Sequence, residues 1–197
     1  MKILVTGATG NIGRMVVDEL LALGASDVRA LTVDPSRAAL PPEVEVVRGF
    51  LGRPSTLPAA FDGVDVLYLA PHLPTVFETC RLAASAGVSR VVDLAGHKGA
   101  HWQGIEDAVE AAGLPFTHLE PGEFMYNATF WARQIRAGDE VRDACPDFAN
   151  APTAQEDIAA VAAHALLSDR YVGESLMLTG PETSRPVYFV IGLAPLK

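Results

Sequence analysis

The sequence has few of the residues that mark disulfide-rich or membrane-spanning proteins. Its two cysteines, Cys80 and Cys145, match no disulfide framework, metal site or redox motif, so we expect both to be reduced and structural. No run of about 18 uninterrupted apolar residues is present, so no membrane span is predicted. The N-terminus lacks the pattern of a signal peptide, which favours a cytoplasmic location.

Basic residues are also scarce relative to acidic ones. The 15 Lys and Arg residues are outnumbered by 24 Asp and Glu residues, which gives a formal net charge of −9. A surface of this sign repels polyanions, so we expect no nucleic-acid partner. Because the chain has 197 residues, of which 49% are hydrophobic, we expect a single domain with one core over residues 1–197.

Short apolar runs alternate with segments of helical periodicity along the chain. Strands are predicted over residues 2–6, 28–33, 44–47, 64–69, 88–94 and 116–119. Helices are predicted after the first strand and over about residues 75–86, 102–112 and 152–167. This alternation predicts a doubly wound, Rossmann-type α/β fold in which six parallel strands carry helices on both faces. Residues 152–197 are expected to form a short C-terminal extension packed on that domain.

Three glycines follow the first strand at G-x-x-G-x-x-G spacing. Gly7 permits a tight exit from the strand, Gly10 lets the backbone approach a pyrophosphate, and Gly13 lets the next helix pack closely on the sheet. The pyrophosphate would lie on the free amides at the N-terminus of that helix, where the dipole favours negative charge. A motif placed between a strand and an amphipathic helix predicts binding of a nicotinamide dinucleotide.

The end of the second strand indicates which nicotinamide cofactor is preferred. An acidic residue there binds the ribose hydroxyls of NAD, whereas a basic residue meets the 2′-phosphate of NADP. Thr32 stands at the acidic position, Asp34 follows two residues later, and Arg37 is near enough to turn towards a phosphate. This pattern favours NADP, and NAD stays open as the alternative.

Five separated segments resemble one family. They are V-T-G-A-T-G-N-I-G at residues 5–13, G-L-P-F-T at 113–117, P-G-E-F-M-Y-N at 121–127, E-D-I-A at 156–159 and L-T-G-P-E at 178–182. In order and spacing they resemble the NmrA-like family of atypical short-chain dehydrogenases. The resemblance implies NAD(P)H binding with reduction of quinones, azo compounds or carbonyl-like acceptors. It equally allows a non-catalytic role in which the cofactor's redox state is reported to a protein partner.

The resemblance also implies which residues contact the cofactor. The segment at 69–71 would line the ribose side, and the segment at 121–124 would lie near the nicotinamide. The expected cofactor-binding residues are Gly7, Thr9, Gly10, Asn11, Ile12, Gly13, Thr32, Arg37, Leu69, Ala70, Pro71, Pro121, Gly122 and Phe124.

The chain departs from the family pattern at several positions. Val33 stands where the family commonly has an Arg for the 2′-phosphate, Phe50 where it often has an Asp near the adenine, and Glu120 where an Arg precedes Pro-Gly. The family's C-terminal part, which helps to wall the substrate pocket, is largely missing beyond Pro186. We therefore expect a pocket that is open or completed by another chain, in a homodimer or with a regulatory protein partner.

The Tyr-x-x-x-Lys motif of typical short-chain dehydrogenases is absent, because no Tyr is followed by a Lys four residues later. A reduction would then depend on orientation of the hydride donor and on a substitute acid. The candidate proton donors are His97, Lys98 and His101, which follow the fifth strand, and Tyr126, which follows the Pro-Gly turn. The alternatives are a solvated surface position for the histidines and a packed aromatic for Tyr126.

Other ionisable residues are assigned no chemistry. Glu106 and Glu110 are expected on the solvated face of a helix, and His72 and His118 are isolated in sequence. No metal site is predicted, because no cluster has the spacing of metal ligands. The sequence therefore predicts an NAD(P)H-dependent oxidoreductase that passes hydride to a small organic acceptor. A non-catalytic NAD(P)H sensor and a degenerate relative that binds cofactor poorly stay as alternatives.

Overall fold

A parallel sheet flanked by helices forms the centre of the computed structural model, which describes residues 1–96, 99–138, 140–144, 148–183 and 185. Within these residues the strands are β1 (Ile3–Val5), β2 (Val28–Thr32), β3 (Glu45–Arg48), β4 (Val66–Leu69), β5 (Arg90–Leu94), β6 (Phe116–Pro121) and β7 (Glu174–Leu178). The α-helices are α1 (Asn11–Ala22), α2 (Pro58–Phe61), α3 (Val76–Ser85), α4 (Gln103–Ala111), α5 (Ala132–Ala137) and α6 (Gln155–Leu167). None of the helices described is long and apolar enough to cross a membrane.

The strand order confirms the predicted doubly wound α/β fold. The order is β3-β2-β1-β4-β5-β6-β7, and all neighbouring strands are parallel. The chain extends the sheet from β1 to one side and then, after β3, to the other. Ligands of open α/β sheets bind at the carboxyl ends of the strands where the order reverses, which here is between β1 and β4.

The sheet has one strand more than the sequence predicted. β7 pairs with β6 and, within the described residues, with no other strand, and its residue Met177 is 63% exposed. Buried parallel strands have nearly continuous apolar sequences, whereas β7 begins with Glu174 and Ser175. Its mixed pattern is that of an edge strand, which is why the expectation of six strands is wrong.

Alternating side chains of the strands supply two apolar layers. Ile3 and Val5 belong to the layer that includes α1 and α6, whereas Leu4 belongs to the opposite layer with α2, α3 and α4. Small buried residues of α6, among them Ala159 and Ala162, let this helix approach α1 closely. The helix predicted over residues 152–167 therefore packs on the sheet as expected.

Arg90 joins β5 to the C-terminal end of α6. Its guanidinium donates to the carbonyl oxygens of Leu166 at 2.7 Å and Ser168 at 3.0 Å, and it lies 3.2 Å from the Asp169 carboxylate. The last carbonyls of a helix have no partner within the helix, and a cation there satisfies them. This buried charge is therefore well paired.

The first of the two cysteines is a packing residue. Cys80 on α3 is buried and free, as the sequence predicted. Burial raises the pKa of its thiol to about 12, so the thiol stays neutral. Cys145 lies outside the described residues.

Candidate functional site

The glycine turn between β1 and α1 leaves no room for side chains. Gly7 has a φ of +61°, and a Cβ there would lie 2.8 Å from the Cβ of Ala70. A Cβ at Gly13 would overlap the carbonyl oxygen of Gly7, and the amide of Gly10 donates to that same oxygen at 2.8 Å. The turn is therefore a cradle of bare backbone, as the motif requires.

The first turn of α1 presents backbone amides to this cradle. Gly10 is the N-cap, and no side chain of the described residues caps the helix. The first bond of the helix runs from the amide of Arg14 to the carbonyl oxygen of Gly10 at 3.1 Å, so the amides of residues 11–13 precede it. Such amides bind phosphate groups, and the residues present fit the pyrophosphate of a dinucleotide.

Thr6 fixes the end of β4 against the glycine turn. Its buried hydroxyl donates to the carbonyl oxygen of Tyr68 at 2.9 Å and accepts from the amide of Ala70 at 2.8 Å. The predicted ribose-side residues at 69–71 therefore lie beside Gly7. The sequence analysis gave Thr6 no role, although a polar residue that ends a buried apolar strand needs such a partner.

In the turn after β2, the acidic residue Asp34 forms hydrogen bonds within the turn itself. Thr32 is buried, and its hydroxyl accepts from the amide of Asp34 at 3.3 Å. The Asp34 carboxylate accepts from the amide of Ser36 at 3.1 Å and from its hydroxyl at 2.7 Å. Asp34 is thus held in its own turn, while the Arg37 side chain is exposed beside it.

Two further arginines reach the same turn. Arg48 at the end of β3 donates to the carbonyl oxygen of Val33 at 3.2 Å, and Arg14 on α1 donates to that of Ala39 at 2.8 Å. Arg14 is also paired with the Asp18 carboxylate, at 3.2 Å, so the positive edge of this turn comes from Arg37 and Arg48. The sequence analysis missed Arg14 and Arg48, because only the pairing of β2 with β3 and the packing of α1 bring them here.

The segment after β6 is held by the last strand and by the residues before α6. The amide of Gly122 donates to the carbonyl oxygen of Leu178 in β7 at 3.2 Å. Thr153, which is buried, accepts from the amide of Met125 at 3.0 Å and forms a parallel bridge with Phe124. The predicted nicotinamide-side residues therefore lie at the same edge of the sheet as the glycine turn.

A cavity of about 340 Å³ adjoins this segment. Its volume and largely apolar lining are typical of small-molecule sites. Trp131 is oriented by its indole N–H, which donates to the Asp143 carboxylate at 2.8 Å. The lining residues are Glu123, Phe124, Met125, Asn127, Ala128, Phe130, Trp131, Asp143, Phe148, Asn150 and Pro152.

The predicted proton donors are dispersed. His101 is exposed and contacts the Trp102 ring edge-on, with ring centroids 5.0 Å apart. Tyr126 is 45% exposed and lies outside the lining of the cavity. His97 and Lys98 lie outside the described residues. A catalytic role for any of the four therefore stays a prediction.

An acid cluster lies between α4 and the strands β5 and β6; it consists of Asp93, Glu106, Glu110, His118 and Glu120. The Nδ1 atom of His118 is 2.6 Å from Oδ2 of Asp93, and its Nε2 atom is 3.7 Å from Oε1 of Glu110. The side chains of Glu106 and Glu120 are buried in the same cluster.

The structure corrects three expectations from the sequence. Glu106 does not lie on a solvated face, because it is only 2% exposed; the Glu110 side chain, at 49%, does remain near solvent. His118 is buried and paired, and His72 contacts the Thr75 hydroxyl at 2.8 Å, so neither histidine is isolated. Among the described residues, no group of His, Cys, Asp or Glu is arranged to hold a metal ion.

Burial and neighbouring charges shift three pKa values in the acid cluster. Burial raises the pKa of the Asp93 carboxyl group, and the hydrogen bond to His118 opposes this shift. Burial raises the pKa of Glu106 to about 7; His118 opposes this shift, while Glu120 adds to it. Burial alone lowers the pKa of His118, but the hydrogen bond to Asp93 and the nearby carboxylates outweigh burial and raise it. Near neutral pH we therefore expect Glu106 to be partly protonated.

Comparison with known proteins gives consistent matches. Residues 7–100 match the family model described as NAD(P)H-binding. The chain is 36% identical over 194 residues to the (4-alkanoyl-5-oxo-2,5-dihydrofuran-3-yl)methyl phosphate reductase of Streptomyces griseus subsp. griseus, covering 91% of this chain and 68% of that protein. It is 32% identical over 196 residues to the NAD(P)H azoreductase of Xenophilus azovorans, again covering 91% and 68%.

Solved structures show the same fold. The NADPH-dependent quinone oxidoreductase from Escherichia coli, in complex with NADPH, matches with a TM-score of 0.85 and 21% identity, over 95% of this chain and 72% of that one. The predicted NAD(P)H cofactor and the predicted family are thereby confirmed. The chain belongs to the NmrA-like family of atypical short-chain dehydrogenases and is an NAD(P)H-dependent oxidoreductase.

Proposed function

We propose that this oxidoreductase uses NADPH to reduce flat, conjugated acceptors of the quinone or azo type. The observation that carries the proposal is the aromatic-lined cavity beside the segment that follows β6. Two similar proteins are named for azo and quinone reduction, which agrees with an acceptor of this kind.

The cofactor would extend along the carboxyl edge of the sheet. Its pyrophosphate would lie on the glycine turn, where a Cβ at Gly7 or Gly13 has no space. Its ribose would contact residues 69–71, and its nicotinamide would lie against residues 121–124. This arrangement is supported by the hydrogen bonds of Thr6 and Thr153, which fix the ends of β4 and β6.

A preference for NADPH is supported by the charges beside β2. Arg37 and Arg48 lie at the turn where a 2′-phosphate would bind, and a planar guanidinium suits that group. The single acidic residue of the turn, Asp34, is engaged with Ser36. Val33 stands where the family commonly has an Arg, and these two cations would take the place of that Arg.

The acceptor would bind in the cavity with its ring system directly against the nicotinamide, and Phe124 would line the wall beside both. Phe130, Trp131 and Phe148 also line the cavity, and aromatic side chains stack favourably on flat conjugated molecules. Bound NADPH supplies the hydride. The chain's own part is then to orient the acceptor and to exclude water from it.

Titration calorimetry with NADPH and NADH, followed by steady-state assays with a soluble naphthoquinone and an azo dye, tests the proposal. We expect tighter binding of NADPH than of NADH and turnover of at least one acceptor. Binding of NADPH without turnover of either acceptor would contradict the acceptor class. Tighter binding of NADH would contradict the cofactor preference.

A matched pair of variants locates the acceptor. Phe130→Ala removes a cavity wall, so we expect the KM for the quinone to rise about fivefold while the Kd for NADPH is unchanged. Phe77→Ala is the control, because Phe77 is also exposed, at 57%, but lies on α3 away from the cavity. Equal KM changes in the two variants would show that the acceptor binds elsewhere.

A further inference from the structure

An exposed aromatic side chain lies at the carboxyl end of β3. Phe50 follows the last residue of that strand by two positions, and it is 49% exposed although it is large and apolar. Single exposed hydrophobic residues are common on protein surfaces, so exposure by itself assigns no role. What distinguishes Phe50 is that its backbone and its ring are both held in place, beside two segments of the proposed cofactor site.

The backbone around Phe50 is tied to β2 and to the turn that follows β3. The amide of Gly49 donates to the carbonyl oxygen of Thr32, the last residue of β2, at 2.9 Å. The amide of Phe50 donates to the hydroxyl oxygen of Thr56 at 3.0 Å. These bonds hold Phe50 next to the end of β2, two residues after Arg48.

The ring of Phe50 is held against the segment that follows β4. It meets the His72 imidazole nearly at right angles, with ring centroids 5.7 Å apart. The ring also covers Gly52, where an added Cβ would lie 2.5 Å from the Cε1 atom of Phe50. His72 is itself fixed, because its Nδ1 atom is 2.8 Å from the Thr75 hydroxyl, which donates to the carbonyl oxygen of Leu51 at 2.7 Å. A ring fixed in this way loses little conformational freedom when a ligand binds against it.

Phe50 therefore lies between two segments that the cofactor would contact. Thr32 and Arg48 are at the turn where a 2′-phosphate would bind, and His72 directly follows the ribose-side residues 69–71. In NADPH the 2′-phosphate and the adenine are attached to neighbouring carbon atoms of one ribose. A side chain that lies beside both the phosphate and the ribose is thus beside the base, and bases stack favourably on aromatic rings.

We propose that Phe50 binds the adenine of the cofactor by stacking on it. The proposal rests on the proposed function, which sets the direction of the cofactor along the sheet. Phe50 stands where the family often has an Asp near the adenine, and a phenyl ring cannot accept a hydrogen bond from the adenine amino group as a carboxylate does. Because NADPH and NADH carry the same base, Phe50 would strengthen the binding of both equally, unlike the arginines beside β2.

Titration calorimetry with both cofactors tests the proposal. In Phe50→Ala we expect the Kd for NADPH and the Kd for NADH each to rise about tenfold, whereas Phe50→Tyr, which keeps the ring, should stay within about twofold of the wild type. Leu23→Ala is the control and should change neither Kd, because Leu23 is 43% exposed but follows the end of α1 that is opposite to the glycine turn. Unchanged Kd values in Phe50→Ala would overturn the proposal. A rise for NADPH alone would also overturn it, since the ring would then act on the 2′-phosphate.

Fluorescence shows whether the base itself meets the side chain at this position. Phe50→Trp introduces an indole there, and saturating adenosine 2′,5′-bisphosphate, which carries the base but no nicotinamide, should quench the emission of that indole. The wild type, which contains Trp102 and Trp131, gives the background. Emission that stays unchanged would overturn the stacking. A wild type that binds NADH more tightly than NADPH, or that reduces neither acceptor, would contradict the proposed function, while the equal effect of Phe50→Ala on both cofactors would still support the stacking.

Discussion

The glycine turn after β1 and the acid cluster beside β6 lie in the same sheet but depend on different parts of the chain. The turn is made of backbone from residues 7–13, and its shape depends on close contacts that involve Gly7, Gly13 and Ala70. The cluster is made of side chains from three elements, and His118 meets a partner 25 residues away in sequence. A local backbone motif tolerates little substitution, whereas a cluster of side chains can be changed without losing the fold.

Two buried charged sites give a second contrast. Arg90 has carbonyl and carboxylate partners around its guanidinium, while the acid cluster keeps three buried polar atoms that have no hydrogen-bond partner in the part of the chain that the structure describes. A buried charge that is fully paired stabilises the fold only as long as its partners remain. A cluster with unpaired atoms destabilises the fold and is typical of functional sites.

The largest effect is expected from Gly13→Ala. The new Cβ would overlap the carbonyl oxygen of Gly7, so we expect NADPH binding to be lost and the free energy of unfolding to fall by about 2–4 kcal/mol. Gly24→Ala is the control: Gly24 has a φ of +85° but open space around it, so backbone strain of about 1 kcal/mol is expected with binding intact. Calorimetric titration and urea unfolding measure both. Unchanged NADPH binding in Gly13→Ala would contradict the proposed phosphate site.

The next largest effect is expected from Arg90→Met, which should lower stability as much as Gly13→Ala but leave NADPH binding intact. It removes the donors that satisfy the last carbonyls of α6, and we expect the free energy of unfolding to fall by about 2–4 kcal/mol without loss of the fold. The exposed Arg81→Met on α3 should change it by less than about 0.5 kcal/mol. Urea denaturation compares the two. Equal free energies of unfolding for the two variants would show that the hydrogen bonds of Arg90 do not stabilise the fold.

The third prediction concerns the pH dependence of stability. The folded protein holds the Glu106 proton up to about pH 7, while the unfolded chain loses it near its ordinary value of 4.5. Between these values the folded state binds more protons, so this group lowers the free energy of unfolding as pH rises. Glu106→Gln has no such proton to lose. The difference between its free energy of unfolding and that of the wild type should therefore shift in favour of the variant by about 2 kcal/mol from about pH 5 to pH 8.

Urea unfolding of Glu106→Gln, Asp107→Asn and wild type at the two pH values measures this difference. Asp107→Asn should follow the wild type. A parallel course of Glu106→Gln and wild type would show that Glu106 ionises in the folded state as it does in water, contrary to the burial of its side chain.

The smallest effect is expected at the positive edge beside β2. Arg48→Ala removes one cation near the 2′-phosphate, so we expect the Kd for NADPH to rise about five- to tenfold and that for NADH to stay unchanged. Arg53→Ala is the control, because Arg53 is exposed after β3 but has no role in the proposed site. Equal weakening of NADPH and NADH would argue against contact of Arg48 with the phosphate.

Much of the fold was predictable because its signals are local. The runs that became β1, β2, β4, β5 and β6 are apolar and short, and the helices between them have a clear periodicity. β7 was not counted because an edge strand mixes exposed and buried residues. Glu106 was misplaced because α4 has other acidic residues that do face solvent, and periodicity alone does not tell which of them turns towards β6.

The sequence by itself determined the α/β alternation, the glycine turn and the class of cofactor. Each of these depends on residues that are close in the chain, such as the backbone freedom that Gly7 needs at a φ of +61°. Tertiary structure decided the arginine edge, the aromatic cavity and the acid cluster. Their residues come from separate elements, and only the strand register and the packing of α1 and α4 bring them within a few ångströms of one another.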